Sequence, residues 1–232
     1  MEDFQTDQIL VVVGNYGSGK TEVAVNLAIE RKKAGVPVDI IDLDLVNPYF
    51  RTREARRTLR SRDINVILPP EQYLNADLPI LSPGVSAALR RRGALVIVDA
   101  GGDGAGARVL ASLAGDLRGR RVNTLQAVNP LRPETETFDG CARMREKIEA
   151  ASHLRVDGVI GNANLLEETT VEHIYDGGDF VKALARRFGV PLAFVTVPAA
   201  LAADLDSSRI DCPVLIIRRQ LVPPWLKPAY FV

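Results

Sequence analysis

The chain has 232 residues, 47% of them hydrophobic and 25% charged, and its 29 basic residues balance its 29 acidic ones. This length suits one α/β domain, and the balanced charge gives no general attraction to nucleic acid, which is therefore not an expected partner. Two distant cysteines, no leader-like start and no apolar run of bilayer-spanning length exclude a disulfide scaffold and a membrane span, so we expect a cytoplasmic protein.

The most specific stretch is Gly14–Thr21, with the sequence GNYGSGKT. It matches G-x-x-x-x-G-K-[ST] and lies between the apolar run 9–13, a predicted buried strand, and a helix predicted over 22–34. Glycines allow successive backbone N–H groups to turn inward around phosphate oxygens, and the helix N-terminus adds partial positive charge. The alternative is a glycine-rich turn with an incidental lysine. The motif predicts that these residues bind a nucleotide: Gly14, Asn15, Tyr16, Gly17, Ser18, Gly19, Lys20, Thr21 and Glu22.

The next predicted strand, 38–44, ends in two carboxylates, Asp42 and Asp44. Residues two apart in a strand share a face, and ligands of open α/β sheets bind at the carboxyl ends of the strands. One or both carboxylates are therefore expected on the γ-phosphate side of the loop. The following segment, 49–62, has helical periodicity and is densely basic.

A third carboxylate, Asp99, ends the apolar run 94–99, which is predicted to be a fully buried parallel strand. Asp99 has the form of a Walker B residue. Together with Gly102 it matches D-x-x-G, a pattern typical of a switch that senses a γ-phosphate through the glycine N–H. The glycine-rich segment from Asp103 is expected to be a mobile switch loop or a small helix.

The remaining pattern alternates strands and helices. Strands are predicted over 64–68, 122–128, 156–160 and 192–197, with a further edge strand over 213–217, and helices over 84–92, 134–151 and 179–188. This order predicts an α/β three-layer sandwich with a mostly parallel sheet of about seven strands, a P-loop NTPase fold over residues 1–217. Prolines prevent a helix in 218–232, which is expected to be an extended tail. It would bury Trp225 and Phe231 on the body or offer them to a partner.

These motifs together resemble the MinD/ParA-like branch of P-loop ATPases, which includes the nitrogenase iron protein and metal-inserting ATPases. The resemblance covers nearly the whole chain in element order, and three phosphate-side motifs make it specific. It implies that Lys20 binds the β- and γ-phosphates, that Thr21 ligates Mg²⁺ and that Asp42 supports the metal shell through water. It also implies that Asp44 positions the attacking water and that Asp99, near the metal, reports the γ-phosphate together with Gly102.

The sequence departs from that branch at Asn15, where relatives carry a second, signature lysine that reaches into a dimer partner's nucleotide. Arg51 or Arg53 is a candidate substitute, and the alternative is that both belong to a solvated helix face. The departure puts dimer-assisted hydrolysis in doubt and predicts slow basal turnover.

The base is expected to be adenine, because the N-K-x-D tetrad typical of GTP-binding relatives does not occur in the sequence. Asn162 or Asn164 follows a late strand where relatives place an asparagine against the base, and a carboxamide can both donate to and accept from adenine. The alternative for each asparagine is an Asx turn that ends the strand.

Three functions remain open at this point. The first is a slow Mg²⁺-dependent ATPase whose nucleotide state switches a protein partner or a homodimer. The second is a phosphotransferase or ligase similar to dethiobiotin synthetase, with an acceptor pocket near Asn75 and Asp77. The third is a module that binds ATP with negligible hydrolysis.

Overall fold

The computed structural model describes residues 4–43, 52–68, 83–101 and 104–221. The strands in these ranges are β1 Gln8–Val13, β2 Val38–Leu43, β3 Asn65–Ile67, β4 Leu95–Ala100, β5 Arg121–Val128, β6 Gly158–Gly161, β7 Leu192–Pro198 and β8 Val214–Ile217. The α-helices are α1 Lys20–Lys33, α2 Arg56–Arg60, α3 Pro83–Arg90, α4 Gly104–Ser112, α5 Ala114–Leu117, α6 Phe138–Ser152 and α7 Val171–Phe188.

The strands form one sheet in the order β3-β2-β4-β1-β5-β6-β7-β8, and each described pairing is parallel. The predicted α/β class is therefore confirmed. The eighth strand, β8, is the predicted edge strand 213–217. Since all strands run the same way, their carboxyl ends lie along one edge, with β1 between β4 and β5.

Alternate residues of the central strands pack into different cores, which produces three layers. Leu10 and Val12 of β1 pack with α1, whereas Ile9 and Val11 pack with helices α3 to α6 on the other face. Helix α7 covers β6 and β7 on that second face, where Val181 packs beside Val195. Neither face of β1 or β4 is exposed to solvent, so neither strand needs alternating polar residues. Both strands therefore appear in the sequence as continuous apolar runs.

Two helices differ from the sequence prediction at their starts. Helix α7 begins at Val171, well before the predicted residue 179, because Thr170 and His173 form a reciprocal capping box. Gly177, inside this helix, lies where an added Cβ would be 2.3 Å from the Cβ of Ala163. Close packing therefore requires this helical glycine. Helix α6 begins at Phe138, since the Thr137 hydroxyl accepts a hydrogen bond from Gly140 N at 3.1 Å.

The glycine-rich segment after Asp103 forms a small helix, α4, which was one of its two expected forms. None of the helices within the described ranges is both long and apolar enough to cross a membrane. Several sequence-predicted features lie outside the described residues, namely Asp44, Arg51, Asn75, Asp77, Gly102, Trp225 and Phe231, and the side chain of Arg53 is likewise not described.

Candidate nucleotide-binding site

The P-loop has a backbone shape that two of its glycines make possible. Gly14 and Gly19 have φ values of 155° and 79°, in the region that side chains rarely occupy. A Cβ on Gly14 would lie 2.5 Å from the carbonyl oxygen of Ala127, and one on Gly19 would lie 2.2 Å from Nδ2 of Asn162. The loop is thus wrapped closely on its supporting strands, with space for neither side chain.

Helix α1 begins directly at Lys20, so the loop ends on a helix N-terminus. Gly19 at the N-cap offers no side-chain acceptor to the first turn. Lys20 and Thr21 are each only 5% exposed, and the buried Ser18 hydroxyl has no hydrogen-bond partner within the described ranges. Orphan N–H groups, the positive end of the helix dipole and a buried ammonium favour an anion at this point.

Asn15, at the position of the signature lysine, makes contacts within the chain. Its Oδ1 accepts a hydrogen bond from Tyr16 N at 2.8 Å, and its Nδ2 donates to the carbonyl oxygen of Pro133 at 3.3 Å. It therefore ties the P-loop to the loop after β5. Tyr16, next to it, is 70% exposed.

Two fully buried carboxylates lie beside this loop. Asp42 and Asp99 are register partners at the ends of β2 and β4, and Val12 of β1 is paired with Asp99 on the other side. All three residues share the sheet face covered by α1, because Val12 packs into the core that contains that helix. The carboxylates therefore face the layer in which Lys20 and Thr21 begin α1.

Thr52 is a site residue that the sequence analysis missed. Its buried hydroxyl donates to Oδ2 of Asp99 at 2.9 Å. In the sequence Thr52 lies between Arg51 and Arg53 in a basic segment, and a single threonine there matches no motif. Its importance comes from a contact between residues 47 apart in the chain.

A magnesium ion fits the donor set around Asp42 and Asp99. Within the described ranges, no group of three or more His, Cys, Asp or Glu residues could hold a metal ion by itself. Mg²⁺, however, usually takes one or two carboxylates and completes its shell with phosphate oxygens and water. Thr21, Asp42 and Asp99 match this incomplete set, which requires a phosphate ligand to be completed.

The two asparagines expected near the base both make hydrogen bonds within the chain. Asn162 is buried, with Nδ2 donating to the carbonyl oxygen of Ser18 at 2.6 Å and Oδ1 accepting from the Thr196 hydroxyl at 2.5 Å. Asn162 thus links the P-loop, at Ser18, to β7, at Thr196. Oδ1 of Asn164 accepts from Leu166 N at 2.9 Å, which is the Asx turn considered as its alternative role.

Glu22 has its carboxylate turned towards the C-terminal segment. It accepts hydrogen bonds from the backbone N–H groups of Gln220 at 2.6 Å and Leu221 at 3.2 Å, and one from the side-chain amide of Asn26 at 2.9 Å. Removal from water raises the pKa of Glu22 to about 7, although these donors favour the carboxylate. Any contact of Glu22 with a nucleotide is therefore left to its backbone N–H in the first turn of α1.

No protein-family model matches the chain, and no curated protein matches it. Among solved structures it is similar to the cell division protein FtsY of Thermotoga maritima, at 22% identity and a TM-score of 0.56, over 83% of this chain and 62% of that one. FtsY of Mycoplasma mycoides gives 19% identity and a TM-score of 0.54, over 84% and 62%. The 54 kDa signal recognition particle protein of Aeropyrum pernix, solved in complex with GDP, gives 20% and 0.52, over 82% and 41%.

These likenesses establish the fold. The parallel eight-stranded sheet with its helical layers is the P-loop NTPase fold, as predicted. The chain spans less than two thirds of the length of each of these proteins.

Proposed function

We propose that this protein is a Mg²⁺-dependent ATP-binding protein of the MinD/ParA-like kind, a slow ATPase that switches a protein partner or a homodimer. One observation carries the proposal. The glycine cradle, the buried start of α1 at Lys20 and Thr21, and the register-paired Asp42 and Asp99 converge at one edge of the sheet. Backbone N–H groups, one ammonium and two carboxylates in this order are what a phosphate–magnesium pair requires.

Each residue has a distinct part in this proposal. Lys20 neutralises charge on the β- and γ-phosphates, while Thr21, Asp42 and Asp99 hold Mg²⁺ directly or through water. When bound, Mg²⁺ supplies charge stabilisation to the phosphates. Asp44 as the residue that positions the attacking water, and Gly102 as a γ-phosphate sensor, rest on the resemblance to MinD/ParA-like proteins.

Adenine as the base rests on the absence of an N-K-x-D tetrad from the sequence. The carboxamides of Asn162 and Asn164 both have protein partners, so they give this assignment no additional support. The Aeropyrum pernix protein was solved with GDP, which makes guanine the competing outcome.

The switching role is supported by the hydrogen bond between Thr52 and Asp99. It joins the end of β4 to the segment 52–60, which packs onto the α1 side of the sheet through Ala55 and Leu59. A ligand that competes for Oδ2 of Asp99 would change the position of Thr52 and of the helix that follows it. Such a local competition is a physical route from nucleotide state to a partner surface.

Lys20→Ala tests nucleotide binding, with Lys33→Ala at the exposed end of the same helix as its control. Charge-assisted hydrogen bonds contribute about 1.5–3 kcal/mol each, so we expect Lys20→Ala to weaken Mg·ATP binding about 100-fold. Isothermal titration calorimetry measures the affinities, and thermal melting checks folding. A folded Lys20→Ala variant that binds ATP like the wild type would refute the proposed site.

Asp42→Asn tests the metal site, with Asp39→Asn as its control because Asp39 also lies in β2 but forms an ion pair with Arg91. Adding Mg²⁺ should strengthen ATP binding, and we expect this gain in affinity to be about tenfold smaller in Asp42→Asn than in the wild type. Calorimetry with Mg²⁺ and with EDTA measures this difference. An equal gain from Mg²⁺ in wild type and Asp42→Asn would exclude Asp42 from the metal shell.

A further inference from the structure

Arg132 lies against the P-loop from the loop 129–137, which connects β5 to α6. A Cβ built on Gly17 would be 3.9 Å from both Cδ and Nε of Arg132. The side chain of Arg132 therefore lies beside the middle of the loop Gly14–Thr21, on the side of β5. Since β5 is paired with β1, this position is at the same carboxyl edge as the phosphate motifs.

The loop that carries Arg132 is held in place by hydrogen bonds at both ends. The Thr135 hydroxyl donates to the carbonyl oxygen of Asn129 at 2.7 Å, and Leu131 N donates to Oδ1 of Asn129 at 3.0 Å. Asn15 adds a direct bond from the P-loop to Pro133 at 3.3 Å. These bonds between side chains and backbone fix the loop that places Arg132 beside Gly17.

The charge of Arg132 has no counterpart in the described part of the chain. It forms no ion pair there, and its Nε is buried without a hydrogen-bond partner. Some other arginines in the described part of the chain pair with carboxylates, as Arg91 does with Asp39 and Arg145 with Glu149, whereas Arg120 also has buried guanidinium nitrogens without a hydrogen-bond partner. A buried guanidinium N–H without an acceptor is costly, so an anion that supplies acceptors would relieve it.

We propose that Arg132 contacts the terminal phosphates of the nucleotide bound in the P-loop, supplying a second cation from within the same chain. This inference rests on the proposed nucleotide-binding function. The loop itself contains a single cation, Lys20, because Asn15 is neutral. A second cation attracts the ligand with the greatest negative charge most strongly. Arg132 therefore makes the site bind a nucleoside triphosphate in preference to a diphosphate.

The test compares Arg132→Ala and Arg132→Lys with Arg143→Ala, an exposed arginine on α6. Calorimetry with Mg·ATP and Mg·ADP measures the affinity ratio of the two nucleotides for each folded variant. We expect Arg132→Ala to weaken ATP about tenfold and ADP by less than about threefold. Arg132→Lys should recover part of the loss, because lysine keeps the charge without the planar fork of donors. Arg143→Ala should match the wild type.

The outcomes separate the two proposals. An unchanged ATP-to-ADP ratio in Arg132→Ala, with ATP still bound through Lys20, overturns the role of Arg132 and leaves the proposed function standing. Equal weakening of both nucleotides also overturns it, since that is the result of a merely structural role. If the wild type binds neither nucleotide, the proposed function fails and this inference fails with it. Should Arg132→Ala not fold, Arg132→Lys and Arg132→Gln give the same ratio measurement.

Discussion

The two flanks of the P-loop are built from different chemistry. On the β4 and β2 side lie the buried carboxylates Asp99 and Asp42, with the Thr52 hydroxyl on Asp99. On the β5 and β6 side lie neutral carboxamides, including Asn129 and Asn162, whose hydrogen-bonding groups are satisfied by the chain itself. One flank has the carboxylates that a cation requires, while the two carboxamides of the other flank maintain the shape of the loop beside Arg132.

This difference shows that position at the carboxyl edge of a sheet does not by itself make a polar residue a ligand contact. Asn162 is buried at that edge, yet it uses both ends of its carboxamide on Ser18 and Thr196. The partners of each donor and acceptor decide which residues remain to meet a ligand. Asn129 shows the same point, because its Nδ2 donates to the carbonyl oxygen of Asn164 at 2.8 Å.

The largest effect should come from Gly19→Ala, which pushes the two flanks apart. A Cβ there would clash with Nδ2 of Asn162 at 2.2 Å. Displacing the loop removes at least two charge-assisted phosphate contacts, so we expect ATP affinity to fall about 1000-fold, or about 4 kcal/mol. Calorimetry measures the affinity.

Gly35→Ala is the matched control for that change. Gly35 has φ 83°, close to the 79° of Gly19, but no atom lies within 4 Å of its added Cβ. Both variants therefore carry the same backbone strain, about 1–2 kcal/mol. ATP binding should be normal in Gly35→Ala, and equal affinities in the two variants would contradict the crowding argument.

Glu22→Gln tests whether a carboxylate near the P-loop necessarily takes part in binding Mg²⁺. The pKa of Glu22 is raised from 4.5 to about 7, so the folded state favours its protonated form. This stabilisation is complete below pH 4.5 and is lost as pH rises through 7. Relative to Glu22→Gln, the wild type should lose about 1–3 kcal/mol of unfolding free energy between these values.

Urea unfolding at several pH values measures that effect, and Glu30→Gln on the exposed side of α1 is the control. The Mg²⁺ dependence of ATP binding should be unchanged in Glu22→Gln, because the Glu22 carboxylate is bonded to Gln220 and Leu221. A pH-independent difference between wild type and Glu22→Gln would show that the carboxyl titrates normally in the folded protein.

The smallest effect should come from Asn162→Ala, which separates support of the loop from recognition of the base. Removing the carboxamide leaves the carbonyl of Ser18 and the hydroxyl of Thr196 without this partner. We expect about tenfold weaker binding of both ATP and GTP, with ATP still preferred. Competition of each nucleotide against one labelled nucleotide gives the ratio, and Asn65→Ala on edge strand β3 is the control. A change in the ratio itself would instead indicate contact with the base.

The sequence by itself determined the fold class and the position of the glycine-rich loop that leads into α1. Apolar runs such as those of β1 and β4 reflect burial on both faces, and this pattern needs no knowledge of what packs on them. The spacing of Gly14, Gly19 and Lys20 is equally local, because a backbone turn followed by a helix is specified by consecutive residues. The positions of Asp42 and Asp99 at strand ends followed in the same way, whereas their pairing across β2 and β4 came from the structure.

Only the tertiary structure decided the partners of the polar side chains. Asn162 bonds Ser18 across 144 residues, and Glu22 bonds Gln220 across 198. Such pairs are formed by the crossing of distant segments, whereas periodicity and motif spacing describe only near neighbours. For the same reason Thr52 and Arg132 carried no signal in the sequence. Their roles depend on Asp99 and Gly17, which the folded sheet brings beside them.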